Sequence, residues 1–331
     1  MKLAKRVNEL LTQDDVDGIV ITHGTDSIEE TACFLNLVVK SRKPVVIVGA
    51  MRPSTAISAD GPVNLYNAVT LAGSEEAVGK GVLVVLNDQV NGARDVTKTN
   101  TANADTFLSG ELGFLGYMQD NKPHFYRLST RKHTTDTEFD VSKLESLSQV
   151  DIVYGYANMN RIPIDAFVAA GDKGIVHAGV GDGSLARPAV EPALIEARKK
   201  GVIIVRSSRV GNGIVARNGE AKDDDLDFVL RHAQSAEGAH LADARAHQDD
   251  RYQGDSTHAL HVLLGIRPDG HCPLGLNRQP RRKRSPLCES WVSAIDPNQP
   301  VSLLQCRRSN ESDYSATARS NVCRSTRKPF R

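Results

Sequence analysis

The chain is expected to be an α/β protein of two lobes, each built on a parallel sheet, and three observations carry that expectation. Nearly continuous apolar runs, GIVIT at 18–22, PVVIVG at 44–49 and GVLVVL at 81–86, alternate with helical patterns. Strands buried on both faces read this way, and helices covering a parallel sheet supply the alternation. A second such series, DIVYGYA at 151–157, KGIVHAG at 173–179 and GVIIVRSS at 201–208, follows a polar stretch over 87–147. Finally, 331 residues suffice for two domains of roughly 100–200 residues each.

The elements follow in order. Leu3, Val7, Leu10 and Leu11 are helix-spaced and broken by charges, so MKLAKRVNELLTQDD predicts an amphipathic helix and not a secretory signal. The first strand ends in His23-Gly24-Thr25-Asp26, and Ser27 precedes Glu30 at the capping-box spacing ahead of Ala32, Phe34, Leu35, Leu37 and Val38. A hydroxyl and a carboxylate thus stand at the carboxyl end of a strand, where open α/β sheets bind ligands. The second strand turns out through Gly49-Ala50-Met51-Arg52-Pro53. Short strand candidates lie near 113–117 and 125–128, and a helix is expected over Val190–Lys199.

Composition excludes several classes. Lys plus Arg number 41 against 40 acids, so no overall charge field points to nucleic acid or a membrane surface. No apolar stretch approaches the ~20 residues of a membrane span. Gly179-Val180-Gly181-Asp182-Gly183-Ser184 follows a strand but is not G-x-G-x-x-G, and the next strand ends in Arg206 rather than a ribose-binding acid. Cys272, Cys288, Cys306 and Cys323 lie near His271 without any C-x₂-C pair, which argues against a metal site. The expectation is no metal and no cofactor.

Four segments, THGTDSIEET, KPVVIVGAMRPSTAISADGPVNLYNAV, NDQVNGARDVTKTNT and RKHTTDTEFDVSKL, resemble the bacterial L-asparaginase and glutaminase-asparaginase family. The resemblance runs in order from about Lys5 to about Val229. It implies hydrolysis of L-asparagine, or L-glutamine, to the acid and ammonia, with no cofactor, in a homotetramer of two-lobed subunits. Family members with these motifs are often periplasmic, although no export signal is read here.

Amide hydrolysis needs an activated hydroxyl, a base, an oxyanion site and grips for the α-ammonium and α-carboxylate. On spacing alone, Thr25 and Asp26 read equally as a helix cap, and Lys132 as a surface lysine. The resemblance implies that Thr25, Asp26 and Lys132 are catalytic, with Lys132 as base once burial lowers its pKa from about 10.4. It also implies a main-chain substrate contact from Ala50 and, in the active site of a neighbouring subunit, contacts from Ser184 and Glu220. Asp182 stands where the family usually has asparagine. That charge either weakens binding of an anionic group or only adjusts a turn.

The resemblance further implies that both ends are incomplete. Family members open on a strand with a Thr-Gly-Gly-Thr motif whose second threonine is the primary nucleophile, and no such motif occurs in this sequence. At the other end, six of ten histidines, four of five cysteines and Trp291 follow Leu230, and RQPRRKR forms a basic block. Back-translating from His232 and reading one base later yields TLSPQKARILLMLALTKTTDTKAI, which resembles the family's C-terminal segment. The expected organisation is therefore residues 1–147 as the remnant of an N-terminal domain and 148–230 as that of a C-terminal domain. Residues 231–331 are expected to be an out-of-frame, disordered tail. Alongside the amidohydrolase reading stand two others: an inactive remnant, and a module that binds an amino acid without turnover.

Overall fold

A computed structural model describes residues 1–186, 188–230, 302–307 and 322–325. They fall into two units, residues 2–142 with the two tail segments, and residues 143–230.

In the first unit, helix α1 (Lys2–Leu11) buries Ala4, Val7, Leu10 and Leu11, the apolar side of its predicted amphipathic pattern. Strands β1 (Gly18–Thr22), β2 (Val45–Val48) and β3 (Val82–Leu86) are parallel and buried along their whole length. Two helices cover them, α2 (Ile28–Val38) and α3 (Gly61–Ala72). Because side chains alternate along a strand, Val20, Val46, Val48, Leu83 and Val85 share one face and pack with Leu65, Ala68 and Leu71 of α3. Each such side chain contributes about 1.5–3 kcal/mol on burial.

Two tight hairpins extend the sheet. Strand β4 (Gln89–Gly92) folds back on β3 through Asn87-Asp88, both at positive φ. After the two-residue pair β5 (Thr97–Lys98) and β6 (Phe107–Leu108), β7 (Gly116–Gln119) and β8 (Lys122–Phe125) turn through Asp120-Asn121, again at positive φ. Asn and Asp tolerate this conformation, which a two-residue hairpin with the right twist requires. The strands expected near 113–117 and 125–128 accordingly sit closer together, drawn in around that Asp-Asn turn.

The second unit holds β9 (Val150–Tyr154), α4 (Ile162–Ala170), β10 (Gly174–Gly179), α5 (Val190–Lys199), β11 (Ile203–Ser208), α6 (Asp223–Leu226) and β12 (Val229–Leu230). Its four strands are all parallel, in the order β12-β11-β10-β9. Ile164, Ile175, Val190, Leu194, Ile204 and Phe228 form its core. Helix α4 starts with Pro163 in its first turn and stops at Gly171, whose φ of 91° suits a left-handed C-terminal cap.

The tail departs from the disordered expectation at two places. Strand β13 (Ser302–Arg307) runs antiparallel to β1, pairing Val20 with Leu304 and Gly18 with Cys306, and β14 (Val322–Ser325) pairs with β13. The first sheet thus reads β14-β13-β1-β2-β3-β4-β7-β8 and is mixed rather than purely parallel. The physical reason is the edge of β1: unpaired ladder groups recruit any strand-compatible segment, and Leu304 and Cys306 add apolar burial to that pairing. The expectations for Cys272, Cys288, Trp291 and the basic run Arg281–Arg284 lie outside the described residues. Among the described residues, no helix is long and apolar enough to cross a membrane.

Candidate active site

The loop between β1 and α2 carries the first cluster. Thr25 is buried, and its Oγ1 lies 3.0 Å from Nζ of Lys98 in β5. The same ammonium donates to Asp26 Oδ1 at 2.8 Å. Lys98 is 18% exposed and Asp26 97% exposed, so the ion pair sits at the mouth of the site with the hydroxyl beneath it. Lys98 lowers the Asp26 pKa from its ordinary value, first by its hydrogen bond and then by its charge. Asp26 is therefore a carboxylate throughout the neutral range.

Local geometry fixes Thr25. His23 Nδ1 donates to the Gly24 carbonyl at 2.7 Å, which sets the tautomer, and Nε2 then accepts from Thr31 Oγ1 at 2.8 Å. Burial lowers the His23 pKa, and the bond to Gly24 opposes that shift in part. Ser27 occupies the N-cap of α2, yet its hydroxyl makes no capping bond, so the capping-box spacing is not used as one. Gly49, at the end of β2, is required here: a Cβ would stand 2.9 Å from the His23 carbonyl oxygen and 3.1 Å from Thr25 Cγ2.

Ala50 is buried in the next loop, which Asp60 shapes by accepting the backbone N–H groups of Met51 and Arg52, both at 2.9 Å. Asn64 of α3 donates to both the Gly49 carbonyl and Asp60. This loop is therefore pinned from α3, at the carboxyl ends of the parallel strands.

In the second unit, Arg206 ties together the loops that carry Ser184 and Glu220. Its guanidinium is wholly buried against Asp223 and donates to the carbonyls of Asp182 at 2.8 Å and Ala216 at 2.6 Å. Asp182 Oδ1 accepts the Ala216 N–H at 2.8 Å, so the carboxylate shapes a turn between the two loops. Ser184 is half-buried, its N–H bonded to the Val180 carbonyl, and Glu220 is exposed. Gly183, at φ 74°, leaves room for Arg206, whose Nη1 would stand 3.0 Å from a Cβ.

Residues 1–131 match the family described as "Asparaginase, N-terminal", and residues 149–242 match "Glutaminase/Asparaginase C-terminal domain". The chain belongs to the asparaginase family. It is 62% identical over 226 residues to L-asparaginase 2 of Bacillus subtilis (strain 168), covering 68% of this chain and 60% of that protein. It is 50% identical over 242 residues to a glutaminase-asparaginase of Pseudomonas fluorescens biotype A, covering 73% and 66%. A glutaminase-asparaginase of Acinetobacter glutaminasificans is 48% identical over 248 residues, covering 74% and 75%. The chain thus spans less than two thirds of the length of the first two relatives.

Within this asparaginase-family fold, Thr25 and Asp26 share one lysine, and that lysine is Lys98 and not Lys132. Lys132 is exposed just before a 3₁₀ turn (Thr134–Asp136), and the Thr25 hydroxyl is instead served across 73 positions of sequence. The signal for Lys98 was present, because it lies in the family-like segment NDQVNGARDVTKTNT. Spacing cannot rank one lysine over the other, since only the folding of β5 against the α2 loop decides it. The same fold contains two further residues that spacing did not single out, Glu29 beside Lys98 and Arg206 between the two loops of the second unit.

Proposed function

We propose that the chain's site hydrolyses the side-chain amide of L-asparagine, with L-glutamine as the alternative substrate. The observation that carries this reading is Lys98 Nζ held between Thr25 Oγ1 and Asp26 Oδ1. In its neutral form Lys98 takes the proton of the Thr25 hydroxyl, and the threonine oxygen in turn takes a proton from a water molecule. The resulting hydroxide adds to the amide carbon; the tetrahedral intermediate expels the nitrogen, which leaves as ammonia after protonation from Lys98, and the carboxylic acid remains. General-base catalysis of this kind is worth about 10²–10⁴-fold. Asp26, ionised and exposed, suits the substrate's α-ammonium.

Ala50 offers main-chain groups at a strand end, while Ser184 and Glu220 are proposed as contacts to substrate held by a neighbouring subunit. Assembly as a homotetramer belongs to the same proposal and is checked by light scattering during size-exclusion chromatography. The functional test is ammonia release from L-asparagine and L-glutamine by the purified chain, with calorimetric titration of L-aspartate alongside. Turnover above the rate of a Lys98→Met variant supports the reading. Aspartate binding without turnover replaces it with a binding module, and neither signal reduces the chain to an inactive remnant.

A further inference from the structure

Lys98 is anchored at both ends to the start of the same helix. Its ammonium reaches back to Thr25 and Asp26, immediately before α2. Its main-chain N–H donates to Oε2 of Glu29, the second residue of α2, at 2.5 Å. The other carboxylate oxygen, Oε1, accepts from the Thr97 hydroxyl at 3.2 Å. Glu29 is 1% exposed, so this two-point grip is made out of water, where hydrogen bonds to a carboxylate are strong. Among the described residues, strand β5 is two residues long and pairs only with the two-residue β6, which is too little ladder to fix a catalytic side chain by itself.

We infer that Glu29 is the positioning residue for Lys98: it holds Thr97 and the Lys98 main chain against α2, so that the ammonium falls on Thr25 Oγ1. The inference rests on the amidohydrolase reading for its kinetic consequence, but its structural consequence stands apart from turnover. Glu29 bonds to Thr97 and to the Lys98 main chain and acts on the site through Lys98. Its removal is expected to lower kcat far more than it raises KM, because the base is misplaced while the substrate grips stay.

The experiment compares Glu29→Ala, Glu29→Gln and Thr97→Val in the full chain. Two readouts are taken: ammonia release, and the rate at which N-hydroxysuccinimidyl acetate labels Lys98, followed by mass spectrometry with Lys132 as internal reference. In Glu29→Ala, Lys98 labelling should rise at least fivefold relative to Lys132, with kcat down at least tenfold and KM within threefold. Glu29→Gln can still accept the Lys98 N–H through its carbonyl oxygen and give an N–H to the Thr97 oxygen. It should therefore restore most of the lost kcat and keep labelling near the wild-type rate. Should Glu29→Ala fail to fold, Thr97→Val removes one of the two anchors and should raise labelling about twofold.

Wild-type labelling of Lys98 in both Glu29→Ala and Thr97→Val, or in Thr97→Val alone where Glu29→Ala does not fold, overturns the inference. Equal losses in Glu29→Gln and Glu29→Ala overturn it too, by making charge rather than position the contribution. If the wild-type chain releases no ammonia, the functional reading fails and labelling alone still decides the role of Glu29.

Discussion

Arg206 and Asp223 meet as a fully buried bidentate pair, Nε to Oδ1 and Nη2 to Oδ2, both at 2.6 Å. The remaining N–H groups of Arg206 go to the carbonyls of Asp182, Gly183 and Ala216, while Asp223 Oδ2 also accepts the Asn218 N–H at 2.8 Å. A buried charge is tolerated only when paired and hydrogen-bonded, and here every guanidinium nitrogen is engaged. Truncating one partner strands the other in the core, at a cost of about 3–5 kcal/mol. Arg206→Met and Asp223→Asn should each lower the urea midpoint of the chain markedly. The double variant should cost less than the sum of the two, which a double-mutant cycle by urea unfolding measures.

His177 gives the second unit a pH dependence of determinate sign. It lies directly across from Arg206 in β10 and β11, is wholly buried, and neither ring nitrogen has a hydrogen-bond partner among the described residues. Burial, helped by the Arg206 charge, lowers its pKa from 6.5 to about 4. Above pH 6.5 the ring is neutral whether folded or unfolded; as pH falls from 6.5 to 4 only the unfolded chain takes up the proton. Stability therefore drops over that window, by an amount on the order of 3 kcal/mol. Asp172 works in the opposite sense: burial, and then Asp151, raise its pKa from 3.8 to about 6, so its share of stability grows as pH falls from 6 to 3.8. Urea unfolding between pH 4 and 7.5 should show a shallow wild-type slope because the two groups oppose each other. Stability should rise toward acid in His177→Leu, where Asp172 acts alone, and fall steeply toward acid in Asp172→Asn, where His177 acts alone.

What the sequence disclosed, and what it did not, follows the range of the interactions involved. GIVIT and PVVIVG are legible because strands covered on both faces must be apolar throughout, a local signal. The helix expected at Val190–Lys199 has those bounds in the structure for the same reason. Lys98 is a different case. Nothing within ten residues of it indicates Thr25, and its placement depends on Glu29, a side chain 69 positions away. Lys132, in RKHTTDT, lies in another family-like segment, so the resemblance alone does not separate the two lysines, and it lies exposed. Arg206 shows the same limit: the sequence alone marks it only as the wrong residue for a ribose, whereas its partners are carbonyls and a carboxylate that only the folded loops bring together.

The two lysines separate by substitution. Lys98→Met removes the only lysine hydrogen-bonded to Thr25 Oγ1 among the described residues and leaves Asp26 without its ion pair. Ammonia release should fall about 10²-fold or more, the scale of a lost general base. Lys132→Met, on the exposed segment, should stay within twofold of wild type. Steady-state kinetics on L-asparagine decide the matter, and equal losses in both variants would return Lys132 to the site.

The pairing of β13 with β1 makes the tail part of the first unit's core, with a measurable consequence. Leu304 is buried opposite Val20 and belongs to the same apolar cluster as Val46, Val48 and Leu71. Leu304→Ala should cost about 2–5 kcal/mol, the usual range for a buried leucine. Leu304→Pro should cost more, because it also removes a ladder N–H and sets a ring against β1. If β13 only rested on the surface, both variants would unfold within about 0.5 kcal/mol of wild type, as surface substitutions do. Amide hydrogen exchange at Val20 and Thr22, whose N–H groups face β13 while that of Ile19 bonds to the Pro44 carbonyl on the β2 side, offers a second check, with faster exchange expected in Leu304→Pro as the unpaired edge returns to solvent.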